Sequence, residues 1–258
     1  MQHVAAQWHD AATDPGHPPV TVDTVWPSQA GMSDLLTAVG DYHVKFTQRA
    51  RSNATALAQS AGRYQWQEDK NSHVLDGVDV KPRVHRPDYN RLKDFGEPWT
   101  QDNDNPWGHN GCDTRDNVLD RDLVDKTYVH TGKCPDALAT GILHDPYTGR
   151  DIPFDRSQDN GGQSPVQIDH VVPLEYAWDM GASGWTEQQR IDFANDPDNL
   201  LAVSGPQNQA KLDMGPGQWL PPNAAFDEPY AEKFAGIIAK YHLSIDPQSY
   251  AVIEGMEK

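Results

Sequence analysis

The chain has 258 residues, with 21 Lys and Arg against 38 Asp and Glu, giving a formal net charge of −17 at pH 7. That length allows a sizeable core and two parts. No run of about 18 apolar residues argues for a membrane-spanning helix, and Met1-Gln2-His3 opens neither the basic start nor the apolar stretch of a secretory signal. Cys112 and Cys134 are the only cysteines, 22 positions apart and without a Cys-x-x-Cys pattern, which speaks against a zinc site. They form a disulfide if the chain leaves the cytoplasm, or stay as two buried thiols.

Taken in chain order, residues 10–30 are rich in Pro, Asp, Thr and Gly and read as extended chain or loop. From Met32 to about Asp69 there is no Pro. Leu35, Leu36, Val39, Val44, Phe46, Ala50, Ala54, Leu57 and Ala61 recur there at helical spacing, which predicts one long helix, or two broken near Gly40, capped by Ser33. Pro82 to Gly111 is punctuated by Pro, Gly, Asn and Asp, with no helix expected, and a domain boundary is placed near residue 83. Thr114–Asp125 reads as a helix. Leu138–His144 and Asp145–Phe154 read as a hairpin around a Pro/Gly turn.

Beyond the polar loop Asp155–Gln163, a strand ends at His170. Short helices are expected over Pro173–Met180 and Thr186–Phe193, a strand over Asn199–Val203 and a turn at Asn208. Trp219–Asn223 reads as a loop and Pro229–Tyr241 as an amphipathic helix. The class is α+β, with a helical region over 1–83 and a second domain over 84–258. Residues 1–83 carry 7 basic and 9 acidic side chains; residues 84–258 carry 14 and 29. A phosphate-binding function in the second part would therefore rest on a local basic strip and a metal, not on overall charge.

Three short segments carry the chemistry: Val166–Leu174 with Asp169-His170 inside it, Asp198–Val203 opening on Asn199, and Asn208–Lys211. Asp169 supplies a hard oxygen suited to magnesium or manganese. His170 can take a proton from water near neutral pH. Asn199 can orient the imidazole or the backbone. Asn208 offers a second, neutral oxygen ligand, and Lys211, one helical turn on, a phosphate contact. Neighbours in a strand point to opposite faces, so Asp169 and His170 would do different jobs. Each residue alone has a plainer reading: Asn199 as a turn residue, Asn208 as a helix cap, Lys211 as a solvated side chain. Their order is what points to one metal-assisted phosphodiesterase site.

These blocks resemble the ββα-metal motif of HNH endonucleases in the variant whose last His is Asn. Gly111–Leu123, Asp145–Gly149, Ile168–Leu174, Phe193–Val203 and Trp219–Pro222 together resemble secreted actinobacterial HNH-family proteins, whose nuclease domain is related to the C-terminal domain of GmrSD-type restriction enzymes. The resemblance covers about residues 84–245. It implies His170 as general base, Asp169 and Asn208 as ligands of one divalent ion, magnesium or manganese, and Asn199 as a positioning residue. It also implies Cys112–Cys134 as a disulfide. Arg115 and Arg121 become phosphate contacts, or else salt-bridge partners of nearby Asp residues, and His144 a neighbour of the site. After Asn208 the order Gln-Ala-Lys-Leu-Asp departs from the family's usual Gln-Lys-Gly-Asp, which puts the role of Lys211 in question.

In the first part, Tyr64-Gln-Trp-Gln-Glu68 after a long helix is similar to the export signal of type VII substrates, with Trp26–Gly31 near the place of the usual Trp-x-Gly turn. A packing appendage is the alternative. The expected protein is thus a secreted or extracellular, metal-dependent endonuclease acting on nucleic acid, DNA before RNA. Secretion machinery or an immunity protein are its implied partners, and membrane insertion is not expected. A cytoplasmic enzyme, or a non-enzymatic module on a decayed nuclease scaffold, are the rival readings.

Overall fold

The computed structural model describes residues 74–159 and 163–256, all within one compact unit, Ser72–Lys258. The helix expected over Met32–Asp69 and the Tyr64–Glu68 motif lie outside the described residues.

Helix α1, Arg91–Phe95, is capped by Asn90, whose side chain accepts from the Lys93 amide. No helix was expected between Pro82 and Gly111. At five residues α1 is too short to be stable alone; Phe95 at its end is buried in the core. Helix α2, Thr114–Asp122, starts at Asp113, which accepts from the Asp116 amide. It stops at Asp122, not Asp125, because Leu123 already has extended backbone and opens strand β1, Leu123–Thr131. The chain then turns into β2, Cys134–His144, and β3, Asp151–Asp155, giving an antiparallel sheet in the order β1-β2-β3. The expected hairpin is the β2–β3 pair, with His144 opposite Asp151. The outer strand β1 was not anticipated. Its side chains are mostly exposed (Asp125, Thr127, Val129 and His130 among them), so it lacks the apolar alternation that marks a half-buried strand.

Strand β4, Val166–His170, pairs antiparallel with β5, Leu200–Ser204, in a separate two-stranded ribbon. Between them lie α3, Leu174–Met180, and α4, Glu187–Ala194, the latter held by a capping box of Thr186 and Gln189. Helix α5, Gly205–Lys211, follows β5 directly. Helices α6, Asp227–Lys240, and α7, Pro247–Met256, complete the described residues. The result is a mixed α+β fold. Among the described residues no helix is long and apolar enough to cross a membrane.

Two apolar clusters flank the β4–β5 ribbon. Val166, Ile168, Leu200 and Ala202 pack with Val118, Leu119, Leu138, Leu143 and Phe154 of α2 and the three-stranded sheet. Val203 packs on the other side with Tyr147, Phe193, Tyr230 and Phe234. Because both faces are covered, β5 reads as a nearly continuous apolar run, and the polar side chains of β4 (Gln167, Asp169 and His170) need partners.

The sulfurs of Cys112 and Cys134 are bonded, so α2's entry is tied to the start of β2. At a sequence separation of 22, the cross-link should contribute about 3 kcal/mol by restricting the unfolded chain. Urea unfolding of Cys112→Ser/Cys134→Ser should show that loss, and addition of a reductant should leave the double variant unchanged.

Candidate active site

The Asp169-His170 pair closes β4, and the strand's two-residue period sends its members to opposite faces of the ribbon. Asp169 is buried beside α5. Lys211, itself fully buried, donates from Nζ to both carboxylate oxygens at 2.9 and 2.7 Å and to the His170 carbonyl at 2.7 Å. Tyr147 donates its hydroxyl to Asp169 Oδ2 at 2.5 Å. Burial pushes the Tyr147 phenol well above its ordinary range, and the Asp169 carboxylate beside it pushes the same way, so Tyr147 stays a donor. One turn back on α5, Asn208 donates through Nδ2 to Gln167 Oε1 at 3.0 Å. Gln167 and Asp169 share a strand face, and Asn208 and Lys211 share a helix face, so α5 docks on β4 through two polar rungs. The close approach depends on Gly205, where a Cβ would lie 2.3 Å from the Ser164 carbonyl oxygen.

His170 looks the other way, into the cluster under α2. Its Nε2 lies 2.9 Å from the Ala194 carbonyl. A carbonyl only accepts, so Nε2 carries the hydrogen and Nδ1 keeps the lone pair. The ring stacks on Trp99, with centroids 5.3 Å apart and planes 10° from parallel. Burial lowers the imidazole's pKa to about 3, with the Arg91 and Lys211 charges acting in the same direction, so the ring is neutral across the physiological range.

Asn199 is wholly buried and closes the loop after β4. Its Oδ1 accepts from the Val172 amide at 2.8 Å and its Nδ2 donates to the Val172 carbonyl at 3.2 Å. The Val171 amide donates to the Asn199 carbonyl. Asn199 therefore clips the chain beyond His170 to the entry of β5 and does not touch the imidazole. Asn199→Ala strands the Val172 groups without partners, at a cost of about 2–4 kcal/mol for the two bonds. Thermal denaturation should show a correspondingly lower Tm.

Arg121 donates to the Pro197 carbonyl at 2.7 Å and the Leu200 carbonyl at 2.8 Å and pairs with Asp122, bracing the loop that carries Asn199. Arg115 pairs with Asp159 at 2.7 Å. Both guanidiniums are thus in structural ion pairs. His144 is exposed and pairs with Asp151. Three participants were not singled out as site residues from sequence. Tyr147 lies in the Asp145–Gly149 block and had a signal there. Ala194 falls in the Phe193–Val203 block, but nothing there pointed to its carbonyl, and Trp99 had no signal, since both reach His170 only through the tertiary fold.

Among the described residues no group of three or more His, Cys, Asp or Glu side chains is arranged to hold a metal ion. Asp169 and Asn208 offer instead a carboxylate and an amide carbonyl from one β4–α5 interface, hard oxygen donors of the kind magnesium and manganese take. Asp169 Oδ1 accepts from Lys211 alone among the described residues, so it retains a lone pair for a cation. The donors fit such an ion in kind, on the condition that it shares the carboxylate with the Lys211 ammonium.

Comparison with known proteins bears on this site. A curated relative, an uncharacterized secreted protein of Arthroderma benhamiae, is 34% identical over 186 residues, covering 71% of this chain and 81% of its own. This relative is fungal, although the sequence blocks resemble actinobacterial proteins. No solved structure matches the chain. The profile of the GmrSD restriction endonucleases, C-terminal domain, matches residues 113–245, a span that contains Asp169, His170, Asn199, Asn208 and Lys211. With a little over half its length matched in this way, the chain belongs to the GmrSD restriction endonuclease C-terminal domain family.

Proposed function

We propose that the protein is a metal-dependent HNH-type endonuclease that hydrolyses phosphodiester bonds, in DNA before RNA. The observation that carries this reading is the geometry of His170: the Ala194 carbonyl fixes Nε2 as the donor, leaving the Nδ1 lone pair as the acceptor. A neutral imidazole with one nitrogen fixed as donor can accept a proton at the other, and burial beneath Trp99 keeps it a weak base until that cover opens. The succession β4, β5, α5, with Asp169-His170 on the first strand and Asn208 on the helix, is the order a ββα-metal core requires.

In the reaction, His170 Nδ1 takes a proton from water, and the oxygen attacks phosphorus as the bond to the leaving 3′ oxygen breaks. A divalent ion held by Asp169 and Asn208 would supply Lewis-acid stabilisation of the charge on the phosphate and the leaving oxygen. Lys211 and Tyr147 hold the Asp169 carboxylate in place, and Asn199 and Arg121 hold the loop. The ring of His170 is covered by Trp99, so substrate access requires that the segment carrying Trp99 move or be engaged by substrate. The secreted relative supports an extracellular place of action. The type VII route and an immunity partner are extensions of the same reading.

The test is conversion of supercoiled plasmid, in parallel with a structured RNA, in magnesium or manganese with and without chelator. Metal-dependent nicking that Asn208→Ala reduces at least tenfold is expected. No cleavage of either polymer in any metal would overturn the reading.

A further inference from the structure

Trp99 is more than a cover for His170. Its indole is also a wall of a cavity of about 680 Å³ between the segment 97–101, the Gly111–Asp113 strand of chain and the β1–β2 turn, 130–135. That volume lies within the range of ordinary small-molecule sites, roughly 300–1,000 Å³. Two observations mark the cavity as built. Trp99 has a φ of 61°, in the left-handed region that a bulky residue rarely adopts, and it is held there by the Thr114 amide, which donates to its carbonyl. The Cys112–Cys134 bond joins the two sides of the cavity, since Cys134 lines it and Cys112 lies between two lining residues.

The lining is suited to a flat heteroaromatic ring. Trp99, His130, Pro98 and Pro135 supply ring and apolar surface, Lys133 a cation, and Arg91 a second cation 5.7 Å from the centroid of the Trp99 ring. The charge of the chain points the same way. The chain from residue 84 onward carries twice as many acidic as basic side chains, so counter-ion release can supply little affinity. Base stacking is indifferent to that charge and is strong enough to matter.

We propose that this cavity is a subsite for an unpaired nucleobase of a nucleic-acid strand, stacked on Trp99 and so placed next to His170. The proposal rests on the endonuclease reading for its purpose, but its test does not use cleavage. Fluorescein-labelled dT8 is titrated against the protein in chelator, with anisotropy as the readout, beside a blunt duplex of the same length. Trp99→Ala removes the platform. Gly132→Phe fills the cavity from a turn position where a Cβ meets nothing within 4 Å, so it should fold as the parent does. The single strand should bind more tightly than the duplex, and both variants should weaken dT8 binding about tenfold, as loss of one stacked base does. The subsite is overturned if dT8 does not bind, if the duplex binds as well, or if Gly132→Phe binds dT8 like the parent. Any of these results alongside normal plasmid nicking leaves the nuclease reading standing. Absent nicking with intact dT8 binding defeats that reading alone.

Discussion

His170→Gln should lower the rate of plasmid cleavage by about 10²–10⁴, the usual worth of a positioned general base, while leaving the fold nearly as stable as the parent. In the proposed reaction His170 has two separable duties. Its Nε2 hydrogen satisfies the Ala194 carbonyl, a service the amide NH₂ of Gln, at the same distance along the side chain, can also perform. Its Nδ1 lone pair is the proposed base, and no nitrogen or oxygen of Gln takes that position. His170→Ala removes both duties and also the ring against Trp99, so it should lose activity and stability together. Comparing the two variants by cleavage rate and by urea unfolding separates chemistry from packing. A Gln variant that folds and retains parental turnover means that His170 is not the base.

The second large effect is expected at Lys211. Its ammonium is fully buried and makes three contacts, two to Asp169 and one to the His170 carbonyl. Burial lowers its pKa and the Asp169 carboxylate opposes that shift. Lys211→Met leaves the carboxylate buried with only Tyr147 as a donor, and breaking a buried pair from one side costs about 3–5 kcal/mol. Asp169→Asn/Lys211→Met removes the stranded charge and should recover part of the loss, so the double variant should be less unstable than the sum of the singles. There is a functional corollary. With the ammonium gone, a divalent ion has no competitor for Asp169, so manganese should raise the Tm of Lys211→Met more than that of the parent. Equal shifts would mean that the ion does not share this carboxylate.

How far the sequence could be read follows from what each feature depends on. The β2–β3 hairpin, β4, β5, α3, α4 and α6 were legible because apolar runs and Pro/Gly punctuation are local. β1 and α1 were not: one is largely exposed and the other is five residues long, and both exist because the rest of the domain gives them something to pair with or pack on. Arg121 shows the same limit within the site. Its neighbourhood of Asp residues suggested either a phosphate contact or an ion pair, and only the fold brings the Pro197 and Leu200 carbonyls to its guanidinium.

By itself the sequence determined the α+β class, the cysteine pair and the order Asp169-His170, Asn199, Asn208, Lys211, because residue type and spacing are properties of the chain. Only the tertiary structure decided how those residues are used. Alternation along β4 turns Asp169 toward α5 and His170 toward Trp99. Burial on both faces of the ribbon then obliges each polar atom to find a partner: Lys211 and Tyr147 for the carboxylate, the Ala194 carbonyl for the imidazole, and the Val172 backbone for Asn199.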